Sequence, residues 1–296
     1  MKSVTVANPR QETSLVGDLL QLSKARLSFL VLVTTLVGFL LGWRGPMDYL
    51  LLAATLVGTA LCAAGAAALN QWWERGHDAR MDRTRDRPLP SGRMHASDAL
   101  LFGLFCSGSG LVILSLFANY RATLLAFVTI AIYVLVYTPM KRMSSLNTLV
   151  GAIPGALPPL IGWVAARGSY HLEGGLLFAI LWFWQMPHFL AIAWMYRDDY
   201  AKAGFVMLPG TDPTGIATAR QAFLYALCLL MVSLAPALMA FNSAGYFFGA
   251  LVLGIGFCAL AVGFLFRRDR ESARVLFFGS IIYLPVLLGL LVATRR

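Results

Sequence analysis

The sequence predicts an all-α fold, a polytopic membrane protein with nine transmembrane helices around a central cavity. Three observations carry the helical, membrane-spanning part of that prediction. Of its 296 residues, 58% are hydrophobic and only 13% charged, a balance unlike that of a soluble domain. Nine apolar runs approach or exceed the roughly 20 helical residues needed to cross a hydrocarbon core of about 30 Å. Basic residues alternate along the chain: with charges at span ends counted in the adjoining segment, 19 of the 24 Lys and Arg fall in alternate segments, the N-terminal one included. The positive-inside rule then places the N-terminus in the cytoplasm and, with an odd number of spans, the C-terminus outside. The net charge of +10 therefore reflects topology. No RNA-binding motif or stacking platform accompanies it, so nucleic acid is excluded as a partner.

Residues 1–26 read as a polar cytoplasmic tail lacking the apolar centre of a cleavable signal, and residues 27–296 as a single transmembrane domain without repeats. A bacterial inner membrane is the expected location. Lys24 and Arg26 read as anchors that snorkel to the lipid phosphates ahead of the first span, 27–43. The second span, 48–71, ends in the small-residue run Cys62 to Ala68, which allows close helix approach.

That span leads into the most informative stretch. Asn70, Glu74, Asp78 and Asp82 recur every four residues and share one helical stripe if the helix continues. Carboxylates at this spacing repel one another by a few tenths of a kcal/mol, so a cation is expected among them. Mg²⁺ suits oxygen ligands of this kind and usually takes one or two carboxylates together with substrate phosphate. Arg83, Arg85 and Arg87 follow with guanidinium forks matched to phosphate oxygens. A solvated loop with topogenic arginines would explain each arginine singly. It does not explain the acidic spacing at a helix mouth, where polar groups are costly.

Pro88, Pro90 and Gly92 turn the chain back into a third span, 97–117, with Ser97 or Asp98 as its cap. His77 and His95 read as solvated surface histidines. A fourth span, 120–138, is followed by Lys141 and Arg142, which serve either diphosphate binding or topology. The fifth, 147–165, contains Pro154, Pro158 and Pro159 and is expected to bend or break beside a cavity. In the sixth, 174–195, Gln185 and His188 lie three apart on one face within the apolar layer, where an ionisable group is a functional candidate. A histidine satisfied by a neighbour's hydrogen bond is the alternative. Trp182, Trp184 and Phe189 offer ring faces that could line a cationic intermediate or simply pack. The sixth span leaves through Asp198, Asp199 and Lys202 on the same side as the first acidic stretch, so two acidic clusters are expected to face each other. The last spans, 217–240, 244–266 and 273–293, are almost wholly apolar, with topogenic Arg267, Arg268, Arg270 and Arg274. Cys62, Cys106, Cys228 and Cys258 read as small core hydrophobes.

From about Leu22 to its end the chain resembles the intramembrane prenyltransferase superfamily, whose mark is two acidic motifs on cytoplasmic loops after the second and sixth helices. Within it, the chain is similar to the branch that farnesylates heme. The residues carrying this are Asn70-x3-Glu74-x3-Asp78, Arg83-Thr84-x2-Arg87-Pro88, Tyr137-Thr138, the Gly155 to Trp163 segment, Gln185-x-Pro187-His188-Phe189 and Asp199-Tyr200-x2-Ala203-Gly204. The resemblance implies nine helices around a central cavity, Mg²⁺ as cofactor, farnesyl diphosphate as donor and heme B as acceptor. It also implies a membrane-lipid environment and a downstream heme-modifying enzyme or terminal oxidase. Carried over, Asn70, Glu74, Asp78 and Asp199 become metal ligands. Asp198 joins them as a catalytic-site residue, and Arg83, Arg87, Lys141 and Lys202 become diphosphate contacts. Lys202 stands where the wider superfamily often has a second aspartate, which assigns it to phosphate directly. His188 is the heme-pocket residue. Two other readings stay open: a prenyltransferase acting on a quinone-precursor ring, and an organic-anion transporter with a broken helix.

Overall fold

The computed structural model describes residues 14–295. The first half of the predicted tail, residues 1–13, lies outside them. Helix α1 (Leu15–Leu22) is followed by α2 (Ala25–Gly42), α3 (Tyr49–Asp78), α4 (Ala96–Phe117), α5 (Tyr120–Met140), α6 (Asn147–Arg167), α7 (Leu172–Met195), α8 (Ile216–Leu238), α9 (Ala244–Arg267) and α10 (Arg270–Ala293). Short helices Arg197–Lys202 and Leu208–Thr211 lie between α7 and α8. Among the described residues, α2 to α10 are the nine helices long and apolar enough to cross a membrane, and no extended strand is present. Helices are the form in which these apolar runs can satisfy every backbone polar group without water.

Side-chain caps mark several helix starts. Asp48 accepts from Leu51 N at 2.9 Å, Asn119 from Ala122 N at 2.9 Å and Asp269 from Ser272 N at 2.7 Å. Neither Ser97 nor Asp98 caps α4: the N-cap position is His95, and Asp98 sits in the first turn. The tail is also more structured than expected. Helix α1 packs on α3, and its buried Asp18 pairs with Arg93 at 3.0 Å.

Helix α6 is the most buried span, packed against α2, α5 and α7. It does not break. Pro154, Pro158 and Pro159 are held inside a continuous helix. Close neighbours explain this tolerance: a Cβ on Gly38 of α2 would lie 1.9 Å from Pro159 O, and one on Gly162 would lie 1.9 Å from Thr35 O. Gln185 of α7 braces the same helix, donating to Ala152 O at 3.2 Å. Helices α3 and α4 meet similarly along the small-residue run, where a Cβ on Gly65 would strike Ser107. The cysteines are free, and three of the four are buried.

Two departures from regular structure bear on the site. Helix α3 continues to Asp78 rather than ending near residue 71, and α5 contains a π-helical stretch, Ile132–Tyr137, ahead of its last turn. A cleft of about 150 Å³ lies at the opposite end of the bundle, lined in part by Arg44, Trp163, Glu173 and Arg295.

Candidate active site

The continuation of α3 makes the acidic stretch a helical stripe. Asn70, Glu74 and Asp78 are all buried, 0%, 4% and 2% exposed. Asp82 falls beyond the helix end and is exposed, so it leaves the stripe. Each of the three buried residues meets one cation from a different part of the chain. Lys24 Nζ donates to Asn70 Oδ1 at 2.9 Å, Lys141 Nζ lies 2.9 Å from Glu74 Oε1, and Arg87 Nη1 lies 2.7 Å from Asp78 Oδ2. Buried carboxylates without such partners would be expensive.

The π-helical stretch supplies the rest of the wall. Thr138 donates its hydroxyl proton to Tyr133 O, five residues back, at 2.7 Å. Its oxygen therefore accepts from Asn70 Nδ2 at 2.9 Å, which turns Asn70 Oδ1 toward Lys24. Lys24 also donates to the Tyr133 hydroxyl at 3.2 Å. Lys141 lies over the Tyr137 ring at 4.6 Å and the Phe205 ring at 5.5 Å.

Lys24 is the member of this cluster that the sequence does not reveal. It reads as a lipid anchor because it precedes an apolar run. The structure turns it inward at a left-handed backbone position, φ 48°, a conformation that costs a non-glycine residue energy and is stored where function needs it. Burial, with Arg87 and Lys141 nearby, pushes its pKa down to about 7. Burial also opposes the charge on Lys141, yet Tyr137 and Glu74 hold that ammonium above the ordinary lysine range.

The second loop packs on the first. Lys202 lies 3.4 Å from Asp82, Arg83 donates to the Tyr200 hydroxyl at 3.3 Å, and the Arg83 guanidinium lies over the Tyr196 ring at 5.4 Å. His77 is half-buried, with Nδ1 2.9 Å from Ala203 O and its ring against Phe205, so it is not a solvated histidine. Met81, Ala203, Phe205 and Met207 form a small apolar core between the loops. Both acidic stretches thus share one end of the bundle. Asp198 is 92% exposed with Arg197 at 3.9 Å, whereas Asp199 is partly buried. Arg83 and Lys202 bind the loops together rather than reaching the buried carboxylates.

No group of three or more His, Cys, Asp or Glu among the described residues could by itself hold a metal ion. The donor set on α3 is nonetheless two carboxylates and an amide oxygen in a buried setting, the hard-oxygen chemistry of Mg²⁺ completed by phosphate and water. Deeper in α7, His188 Nδ1 lies 2.7 Å from Ser280 Oγ, and the ring stacks on Trp184 at 5.0 Å. Trp182 packs edge-on against Phe183 and Tyr225 instead.

The description of the UbiA prenyltransferase family matches residues 31–282. Protoheme IX farnesyltransferase of Solibacter usitatus is 45% identical over 287 residues, covering 94% of this chain and 98% of that protein. The protein of the same name from Opitutus terrae is 45% identical over 281 residues, covering 94% and 95%. Among solved structures, a digeranylgeranylglyceryl phosphate synthase matches with a TM-score of 0.80 at 18% identity, over 94% of this chain and 97% of that one. A UbiA homologue from Archaeoglobus fulgidus bound to DMAPP and Mg²⁺ matches with a TM-score of 0.68 at 15% identity, over 93% and 99%. At these identities the structural likeness is one of fold.

Proposed function

The chain belongs to the UbiA prenyltransferase family, and on that premise we propose that it farnesylates heme B, giving heme O and diphosphate. The allylic carbon–oxygen bond of farnesyl diphosphate breaks, and C1 of the farnesyl group bonds to the terminal carbon of a heme vinyl group. Water adds to the adjacent carbon and leaves a hydroxyl there, its other proton passing to solvent or diphosphate. The observation carrying this reading is the buried Asn70, Glu74 and Asp78 stripe with a cation on every member. The curated relatives named as protoheme IX farnesyltransferases support the choice of acceptor.

Mg²⁺ bound by Asn70, Glu74, Asp78 and Asp199 would neutralise charge growing on the departing diphosphate. Arg87 and Lys141 are already fixed beside those carboxylates, so their donors need little reorganisation to meet phosphate oxygens. Arg83 and Lys202 add charge where the two loops join, and Asp198 stands outermost. The aromatic walls made by Tyr133, Tyr137 and Phe205 exclude water from the newly formed cation and face it with ring electrons. His188 contacts the heme. The site end faces the cytoplasm of a bacterial inner membrane, with the C-terminus in the periplasm, and the product is consumed by a heme-modifying enzyme or terminal oxidase.

Purified protein incubated with heme B, farnesyl diphosphate and Mg²⁺ is expected to give a heme heavier by the farnesyl chain and one hydroxyl group, by chromatography and mass spectrometry. Chelator should stop it. Unchanged heme in the presence of bound farnesyl diphosphate would reject heme as acceptor and turn attention to quinone-precursor rings.

A further inference from the structure

His188 lies well inside the membrane-spanning helix α7, and the geometry around it points to which of its nitrogens carries the proton. Ser280 of α10 has a single hydroxyl hydrogen. Its Oγ lies 2.5 Å from Phe277 O, one turn back along the same helix. Two oxygens at that separation need the proton between them, since facing lone pairs would repel. Ser280 therefore donates to Phe277 and has only lone pairs left for His188 Nδ1 at 2.7 Å, so Nδ1 must be the donor. The neutral ring then carries no proton on Nε2.

Nε2 has no protein hydrogen-bond partner among the described residues. It is thus unpaired, on a residue that is only partly buried. The ring is held in place by Trp184 on one side and by Phe277 at 4.8 Å, with Phe189 at its edge. Trp184 is itself tethered, its Nε1 donating to Ser280 O at 2.7 Å. One residue of α10 thereby fixes both the imidazole and the indole stacked on it. A histidine kept only for packing would leave this lone pair without return in an apolar layer. An imidazole whose Nδ1–H is anchored to an oxygen acceptor while Nε2 stays open is the arrangement by which histidine ligates metal.

Resting on the proposed heme acceptor, we infer that Ser280 is a positioning residue that locks His188 in the Nδ1–H tautomer, so that Nε2 ligates the heme iron during the reaction. The Trp184 and Phe277 rings would flank the ligand as the macrocycle docks. Axial ligation fixes the iron and hence the plane in which the vinyl groups lie. Ser280 thus sets acceptor orientation without touching either substrate's reacting carbon.

The tautomer can be read without heme, by nitrogen NMR of the full-length protein labelled on its four histidines, with His188→Gln assigning the signal. A protonated Nδ1 and an unprotonated Nε2 are expected. Ser280→Ala should mix the tautomers, and Ser280→Thr should restore the native one. A wild-type His188 protonated at Nε2 would overturn the inference. Heme B is then titrated into each variant and its iron ligation followed by resonance Raman and Soret spectra. Ser280→Ala should weaken heme binding by roughly ten- to a hundredfold, as loss of an outer hydrogen bond to a metal ligand does. Ser280→Thr should recover most of it. His188→Gly should lose the histidine–iron signature and regain it with added imidazole. If the wild type binds and farnesylates heme while His188→Gly and His188→Gln show unchanged iron ligation, the ligand assignment fails and the proposed reaction survives. If the wild type binds farnesyl diphosphate but neither binds nor farnesylates heme, both fail.

Discussion

The two acidic stretches differ in how completely the folded chain prepares them. The first sits on the end of a long helix, is buried, and has a cation on each of its three members. The second occupies a short helix on the surface, with Asp198 almost fully exposed and only a long pairing to Arg197. Burial accounts for the difference. A carboxylate enclosed by protein must be neutralised before substrate arrives, whereas an exposed one can rely on water. On the proposed reading the first stretch is a preorganised receptor, and the second would complete the site when donor and metal draw it in.

Four substitutions and one depletion probe that contrast. Asp78→Ala removes a carboxylate at the centre of the prepared half and should lower kcat/KM by about a hundred- to a thousandfold, the scale on which fixed electrostatic groups act. Size-exclusion elution should stay normal, and near-wild-type turnover in this variant would dissolve the distinction between the stretches. Glu74→Gln leaves the Lys141 ammonium buried without its counter-charge and should cost about 3 kcal/mol of stability. The double variant Glu74→Gln/Lys141→Met should recover much of that stability, seen in denaturant titration, while remaining inactive. Chelation of Mg²⁺ should stop turnover but leave the thermal midpoint unchanged, because Glu74 and Asp78 are already neutralised by Lys141 and Arg87; a large drop would mean the metal is part of the folded architecture. Asp199→Ala should reduce kcat/KM roughly tenfold and raise the Mg²⁺ requirement, with stability within about 0.5 kcal/mol of the parent.

The smallest effect is expected just outside both stretches. Asp212 accepts from Thr218 N at 2.8 Å and Thr218 Oγ1 at 2.9 Å, fastening the start of α8. Although burial works against its charge, those hydrogen bonds hold its carboxyl below the ordinary value of 3.8. The folded protein thus binds this proton less readily than the unfolded chain. Its stabilisation is full above that ordinary value and fades as pH falls through the lower, folded one. Asp212→Ala should cost about 1 kcal/mol at neutral pH without altering turnover. A comparable loss of activity would extend the prepared region into the second loop.

Much of this could be read from the residues. Apolar run length placed all nine spans, eight of them within about three residues at each end, because lipid imposes one length and one backbone solution on each of them. The four-residue recurrence of Asn70, Glu74 and Asp78 revealed a buried polar stripe even though an apolar window truncates α3 near residue 71. Long-range partners were hidden. Lys24, one residue before an apolar run, looks the same in sequence whether it snorkels to lipid or folds under into the protein, and only its left-handed backbone position decides. His77 lies in a polar loop but is claimed by Ala203, more than a hundred residues away. The prolines of α6 do not break the helix, because its tolerance for proline depends on how tightly its neighbours enclose it. Ser280 gave no signal at all, being one hydroxyl among apolar residues.

The π-helical stretch of α5 bears on how such a site can be altered. A π turn is an α turn holding one extra residue, so it records a local insertion absorbed without disturbing the helix on either side. Deleting any one residue of Ile132–Tyr137 should rewind the segment to α geometry and leave the helix after it in place. Thr138 would lose the carbonyl five residues back that orients its hydroxyl toward Asn70, while Lys141 would keep its place beside Glu74. The stretch is therefore a tuning element: a one-codon change, far smaller than any rearrangement of the bundle, would loosen the Asn70 and Lys24 corner of the site and leave the Lys141–Glu74 pair in place.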